Sequence, residues 1–190
     1  MTSTSFLSSR SRMTRIAVLL LLPMVVVAAP AAQNPTKKVV PVVAPATLEP
    51  LLPAVLDGWT KVRSTSNRIN DGCVYAFAEV VFTNGDGKLR ATIADTGFDA
   101  DALMAVATMV LSFPAGHTET IPPNIVINRL TYRDYPAATM WNSAQIDGEF
   151  TVVVDDRFVV KAEGMRAGDV STLRSVVDKI DLKKVAELGR

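Results

Sequence analysis

The chain has 190 residues, 20 basic and 19 acidic side chains and one histidine, for a formal net charge of +1; 48% of it is apolar. The first 32 residues hold three of the bases and none of the acids, so the remainder is slightly acidic. That balance gives no electrostatic footing for DNA or RNA and no polybasic face for anionic lipid.

A single cysteine, Cys73, excludes an intramolecular disulfide and a cysteine-based zinc site. Stability must then come from an apolar core, which a domain of roughly 130–140 residues is large enough to build.

Residues 1–32 read as a secretion signal peptide. Arg10, Arg12 and Arg15 precede an apolar run beginning at Ile16, and Ala29, Ala31 and Ala32 supply the small residues of a cleavage site. The run is shorter than the ~20 residues that span a bilayer and is broken by Pro23, which argues against an uncleaved anchor. The expected location is periplasmic or extracellular, with membrane contact only through this segment where it stays uncleaved. Residues 33–53 carry Pro35, Pro41, Pro45, Pro50 and Pro53 and read as a Pro-rich disordered linker. One α+β domain is expected over residues 54–190.

Within that domain, Asp57-Gly58 marks a turn and Trp59 to Ser64 a short strand. Val74 to Thr83 is a long apolar and aromatic strand. Asn84-Gly85-Asp86-Gly87 has the residues that tolerate positive φ in a tight hairpin. The return strand sets Lys88, Arg90 and Thr92 against Leu89, Ala91 and Ile93, the alternation of a sheet with one wet and one covered face. Asp99 is placed to cap a helix carrying Ala102, Leu103, Val106, Ala107, Val110 and Leu111, apolar over much of its surface. Thr118 to Asn124 reads as a polar loop. Ile125–Arg133 and Ala137–Ser143 read as strands with Tyr135-Pro136 between them.

The C-terminal part is the most strongly patterned. Glu149–Val154 and Phe158–Glu163 form a hairpin about Asp155, Asp156 and Arg157. A helix opening at Asp169 then places Val170, Leu173, Val176, Val177 and Ile180 on one face. Asp181 is placed to cap a short final helix. Hairpin followed by helix occurs twice, at 74–111 and 149–182. The expectation is an antiparallel sheet of about six or seven strands with two main helices on one face and a pseudo-repeat of hairpin–helix units.

Chemistry is sparsely signalled. No nucleophile elbow, P-loop or dinucleotide fingerprint is present. Cys73 and the lone base His117 lie on separate loops. Asp95, Asp99 and Asp101 cluster where a hard cation could find oxygen ligands, but helix capping accounts for acids at that position. Glu79 and Glu163 are the acids within strands that a glycoside-hydrolase pair would draw on. No metal or cofactor is expected. Among the aromatics, Trp59, Tyr135 and Trp141 lie near turns and are the candidates for lining the mouth of an apolar groove.

Leu56-Asp57-Gly58-Trp59-Thr60, Thr151 to Gly164, and Leu173 to Leu188 resemble exported bacterial proteins of unknown function. In these a Gly-Trp strand opens the domain and a hairpin–helix unit closes it. The resemblance spans residues 51–188 and implies an exported compact α+β domain, with no activity attached. The functional expectation is an exported, non-enzymatic envelope or periplasmic accessory or binding protein, its partner an unidentified protein or a small apolar ligand. The alternatives are a carrier holding a small apolar ligand between sheet and helices, and a hydrolase using acidic residues.

Overall fold

The structure, a computed structural model, describes residues 38–190. The expected signal peptide and residues 33–37 lie outside the described residues. Eight strands form one sheet in the order β1-β2-β3-β8-β7-β6-β5-β4, antiparallel at every pairing. The strands are β1 (Thr60–Ile69), β2 (Tyr75–Asn84), β3 (Gly87–Asp95), β4 (Thr118–Ile121), β5 (Ile125–Tyr132), β6 (Tyr135–Asn142), β7 (Asp147–Val154) and β8 (Phe158–Met165). The helices are α1 (Pro45–Leu48), α2 (Ala100–Ser112), α3 (Val170–Asp178) and α4 (Leu182–Glu187). Among the described residues, no helix is long and apolar enough to cross a membrane.

The two main helices lie on opposite faces of the sheet, which corrects the expectation of one shared face, and eight strands replace the expected six or seven. Side chains alternate along a strand, and the two cores alternate with them. Ile93, Val152, Val154, Phe158 and Val160 join Leu173, Val176 and Val177 of α3 in the larger core. The residues between them, Ala94, Val153 and Val159, pack with Leu103, Ala107 and Val110 of α2 in the smaller one. The central strands β7 and β8 are apolar on both sides because both sides are covered there. The hairpin–helix order therefore repeats along the chain, but the second helix crosses to the other face.

The extra strand comes from one edge of the sheet, and the strand at the other edge is longer than expected. Thr118–Ile121, expected as loop, pairs with β5, and β1 runs on past Ser64 to Ile69. Residues 38–53, expected as disordered linker, are packed onto the domain from Val40 onward. Leu48 and Leu52 are buried in the larger core, and α1 and the 3-10 turn at Glu49–Leu51 follow from the prolines at their first turns. Prolines that suggest an extended spacer are equally suited to starting short helices, and Leu48, Leu51 and Leu52 give this strap an apolar side to bury.

Each longer helix begins where its Asp places it. Asp99 accepts from the N–H of Asp101 and Ala102, Asp169 from Thr172, and Asp181 from Lys183 and Lys184. α2 is broken at Ala107, whose φ of −129° and ψ of 27° are non-helical. The hydroxyl of Thr108 donates to Met104 O at 2.6 Å, a back-bond that bends helices. Arg129 of β5 holds the C-terminal piece: its Nε donates to Val110 O at 2.6 Å, and its Nη1 donates to Leu130 O and Ala137 O, both at 2.9 Å. Burial holds the pKa of this guanidinium below its usual value.

Candidate functional site

α2 covers only the end of its face near Ala94, Val153 and Val159. The strands run on from under the helix, and the pairing register sets a row of charges on the open part. Glu79 stands opposite Thr92 and Thr92 opposite Lys161; one step along, Arg90 stands opposite Glu163 and Glu163 opposite Glu149. Arg63 reaches Glu79 at 2.6 Å and Lys161 reaches Glu149 at 3.6 Å. Arg90 stands between Glu79 and Glu163, with ion-pair distances of 3.5 and 3.4 Å. Its Nε is buried and makes no hydrogen bond, because the approach of Glu79 falls outside hydrogen-bonding geometry.

Two clefts open on this face. One, of about 220 Å³, lies between the first half of α2 and strands β2, β3 and β8. Its apolar wall is formed by Tyr75, Phe77, Val159, Ala105 and Val106, and its polar floor includes Arg90, Lys161 and Glu163. The other, of about 260 Å³, continues along the sheet past Arg90 and Glu163 to Glu149, Met140 and Met165. Both share Arg90 and Glu163, so the two form one groove, apolar under the helix and charged where the sheet is bare. An apolar cleft with a few convergent polar groups has the make-up of a ligand site.

Trp59, Tyr135 and Trp141 lie elsewhere. All three pack against the core on the α3 side, and none lines either cleft. Tyr135 and Trp141 sit at opposite ends of β6, roughly 20 Å apart at the rise of a strand. Trp141 lies over Gly148, where a Cβ would come within 2.8 Å of its ring; it fills space that a side chain would otherwise take.

The acidic pair reads differently. Glu79 and Glu163 do share a face, two strands apart and offset by two residues along them, roughly 11–12 Å between backbones, but Arg90 stands on the strand between them. Cys73 precedes β2 and His117 precedes β4, six strand spacings or roughly 28 Å apart across the sheet. His117 stacks on Phe113 with centroids 4.7 Å apart and lies 3.4 Å from Glu119.

Asp95, Asp99 and Asp101 have separate tasks. Asp99 caps α2, with the N–H of Asp101 as one of its donors. Asp95 is buried in a two-point ion pair with Arg157. No group of three or more His, Cys, Asp or Glu among the described residues is arranged to hold a metal.

Sequence reasoning singled out Glu79 and Glu163 but not Arg90, Lys161 or Glu149. Their signal was the polar alternation in three strands, Arg90 and Thr92, Glu149 and Thr151, Lys161 and Glu163. Only the register brings those alternations into one row. Comparison with family models, with curated proteins and with solved structures finds no match to this chain.

Proposed function

We propose that the chain is an exported, non-enzymatic binding module of the envelope or periplasm, and that it holds a small amphipathic ligand in the groove beside α2. The observation that carries this reading is the meeting, at Arg90, of an apolar wall with an ion-pair row on sheet that no helix covers. Export is supported by the signal-like residues 1–32. The core on the α3 side is filled by Phe82, Phe150, Phe158 and Leu173, which favours the α2 side for a carrier's ligand.

The hydrolase alternative draws on Glu79 and Glu163, two acids on one face of the sheet that would have to flank an attacking water. It is disfavoured because Arg90 fills the space where that water and the scissile bond would sit. Native mass spectrometry of the protein released gently from its producing cells tests the binding reading. An adduct of a few hundred daltons at most, in keeping with the cleft volumes, supports it. A bare mass from several preparations counts against it.

A further inference from the structure

Resting on the binding reading above, we infer that the groove takes a small zwitterion bearing an apolar substituent: a molecule whose adjoining anionic and cationic groups replace the two halves of the Arg90–Glu163 pair.

Two guanidinium groups in this protein show what a satisfied and an under-used arginine look like. Arg157 grips Asp95 through Nε and Nη2 at 2.7 and 2.8 Å, in the two-point geometry that makes such pairs strong. Arg90 has no such grip. Its contacts with Glu79 and Glu163 are 3.5 and 3.4 Å, its Nε donates to nothing, and Glu79 has a shorter partner in Arg63 at 2.6 Å. A ligand carboxylate or phosphate meeting Arg90 edge-on would form the two short bonds that neither glutamate provides.

Such an anion would draw Arg90 away from Glu163. Glu163 stands directly opposite Glu149 on the neighbouring strand, and like charges so placed repel. Lys161 is already engaged with Glu149 at 3.6 Å, and the two further charges that line the second cleft, Lys88 and Asp147, offset each other. A lone anionic ligand would therefore leave two facing carboxylates short of a cation, whereas a zwitterion supplies that cation where it removes one. The charge of the site stays balanced, and the groove's own sequence of groups, apolar wall, then Arg90, then Glu163 and Glu149, gives the order of parts in the ligand.

The wall sets the size. Each cleft alone, at about 220 and 260 Å³, lies below the size of sites that hold drug-sized molecules, and the two together reach only the lower part of that range. Ala105 and Val106 form the helix side of the first cleft, immediately before the break at Ala107. The break thus separates this wall from the piece of α2 that Arg129 fixes.

The test is an amide NMR titration of the isotope-labelled protein with four probes sharing one ring: phenylalanine, phenylpropionate, phenethylamine and phenylpropanol. A short-chain alkyl phosphocholine forms a fifth arm, separating an amino-acid zwitterion from a lipid-headgroup one. The expected result is that phenylalanine or the phosphocholine shifts the amides of Thr92, Val106 and Lys161 and binds at least ten-fold more tightly than the singly charged and uncharged probes. Arg90→Met should abolish that binding. Glu163→Gln should weaken the zwitterion several-fold and leave phenylpropionate unchanged or tighter. Each variant's own amide spectrum reports whether it is folded. Equal binding of phenylpropionate or phenylpropanol at the same amides overturns the zwitterion inference and leaves the groove reading standing. No shift at these amides with any probe overturns both.

Discussion

Asp95 and Arg157, 62 residues apart in the chain, meet in two parallel hydrogen bonds of 2.7 and 2.8 Å with side chains 0% and 6% exposed. Asp95 Oδ1 also accepts from Gly97 N at 2.9 Å, and the remaining capacity of both groups goes to the strap and to Gly189. Asp95 Oδ2 accepts from Val43 N at 2.7 Å, and Arg157 Nη2 and Nη1 reach Pro41 O and Gly189 O at 3.4 and 3.5 Å. The rings of Phe98 and Phe158 flank the guanidinium at 5.4 and 4.9 Å. Removing one member of a buried pair leaves the other uncompensated. Arg157→Met is expected to cost about 3–5 kcal/mol in denaturant unfolding and to free the strap, so that limited proteolysis cuts near Val43 well before the core. Equal protease resistance of the strap in the variant would contradict its dependence on this pair.

The strap also depends on one glycine. Gly97 has φ +59°, and a Cβ there would lie 2.2 Å from Val40 O, the residue whose N–H donates to Gly97 O. Gly97→Ala adds backbone strain and a contact that only movement of the strap relieves, at a cost of about 1–3 kcal/mol. The check is a lowered unfolding midpoint together with faster exchange of the Val40 and Val43 amides.

Tyr132 gives the fold an alkaline limit. Its pKa is pushed up to about 12, first by burial and then by its hydrogen bond to Asp178 and the charge of that carboxylate, with Arg133 and Arg174 opposing. Arg133 and Arg174 stand over the ring at 5.2 and 5.3 Å, and Arg133 also binds Asp178 at 2.7 Å. The folded state favours the neutral phenol. Its contribution is therefore complete below pH 10, where an unfolded tyrosine titrates, and is lost as pH rises through about 12. Unfolding free energies from pH 9 to 12 should fall by about 2–3 kcal/mol more in the parent protein than in Tyr132→Phe. Parallel curves would contradict this.

Arg129 should divide α2 in hydrogen exchange. Its bonds to Val110 O, Leu130 O and Ala137 O tie the second piece of the helix to β5 and β6. Amides after the break at Ala107 are expected to be better protected than those before it. Arg129→Met should erase the difference and destabilise the fold by about 2–4 kcal/mol, since three carbonyls lose a donor. A variant with unchanged protection would show that α2 is held by its apolar side alone.

The helix starts at Asp99, Asp169 and Asp181 were legible because a capping side chain acts on N–H groups two or three residues away. The hairpin of β2 and β3 was legible for the same local reason: Asn84 to Gly87 have the backbone freedom a tight turn requires. The faces were harder. Lys88, Arg90 and Thr92 suggested a wet side, yet Val152-Val153-Val154 and Phe158-Val159-Val160 carry the opposite message. Unbroken apolar runs mean strands covered on both sides; the expectation of one shared face passed over that signal, and the structure sets a helix on each face. The strap escaped because its prolines dominate its composition, while its burial depends on Asp95 and Arg157, which lie far along the chain.

The groove was least legible. Glu79 and Glu163 stood out as strand acids, but a row containing Arg63, Arg90, Lys161 and Glu149 exists only after five strands are set in register. Trp59, Tyr135 and Trp141 drew attention as large aromatics near turns, and the structure uses them as packing on the other face. Aromatic content alone does not tell a wall from a mouth; the neighbouring charge does, and that is long-range information.

Arg90 is the polar anchor of the proposed groove. The most direct measurement is native mass spectrometry of the parent protein and Arg90→Met, both isolated from the same producing cells under the same gentle release. The prediction is a small-molecule adduct on the parent protein that is lost from the variant while the variant's charge-state distribution remains that of a folded chain. An adduct carried equally by both would place the ligand somewhere other than this groove and contradict the account.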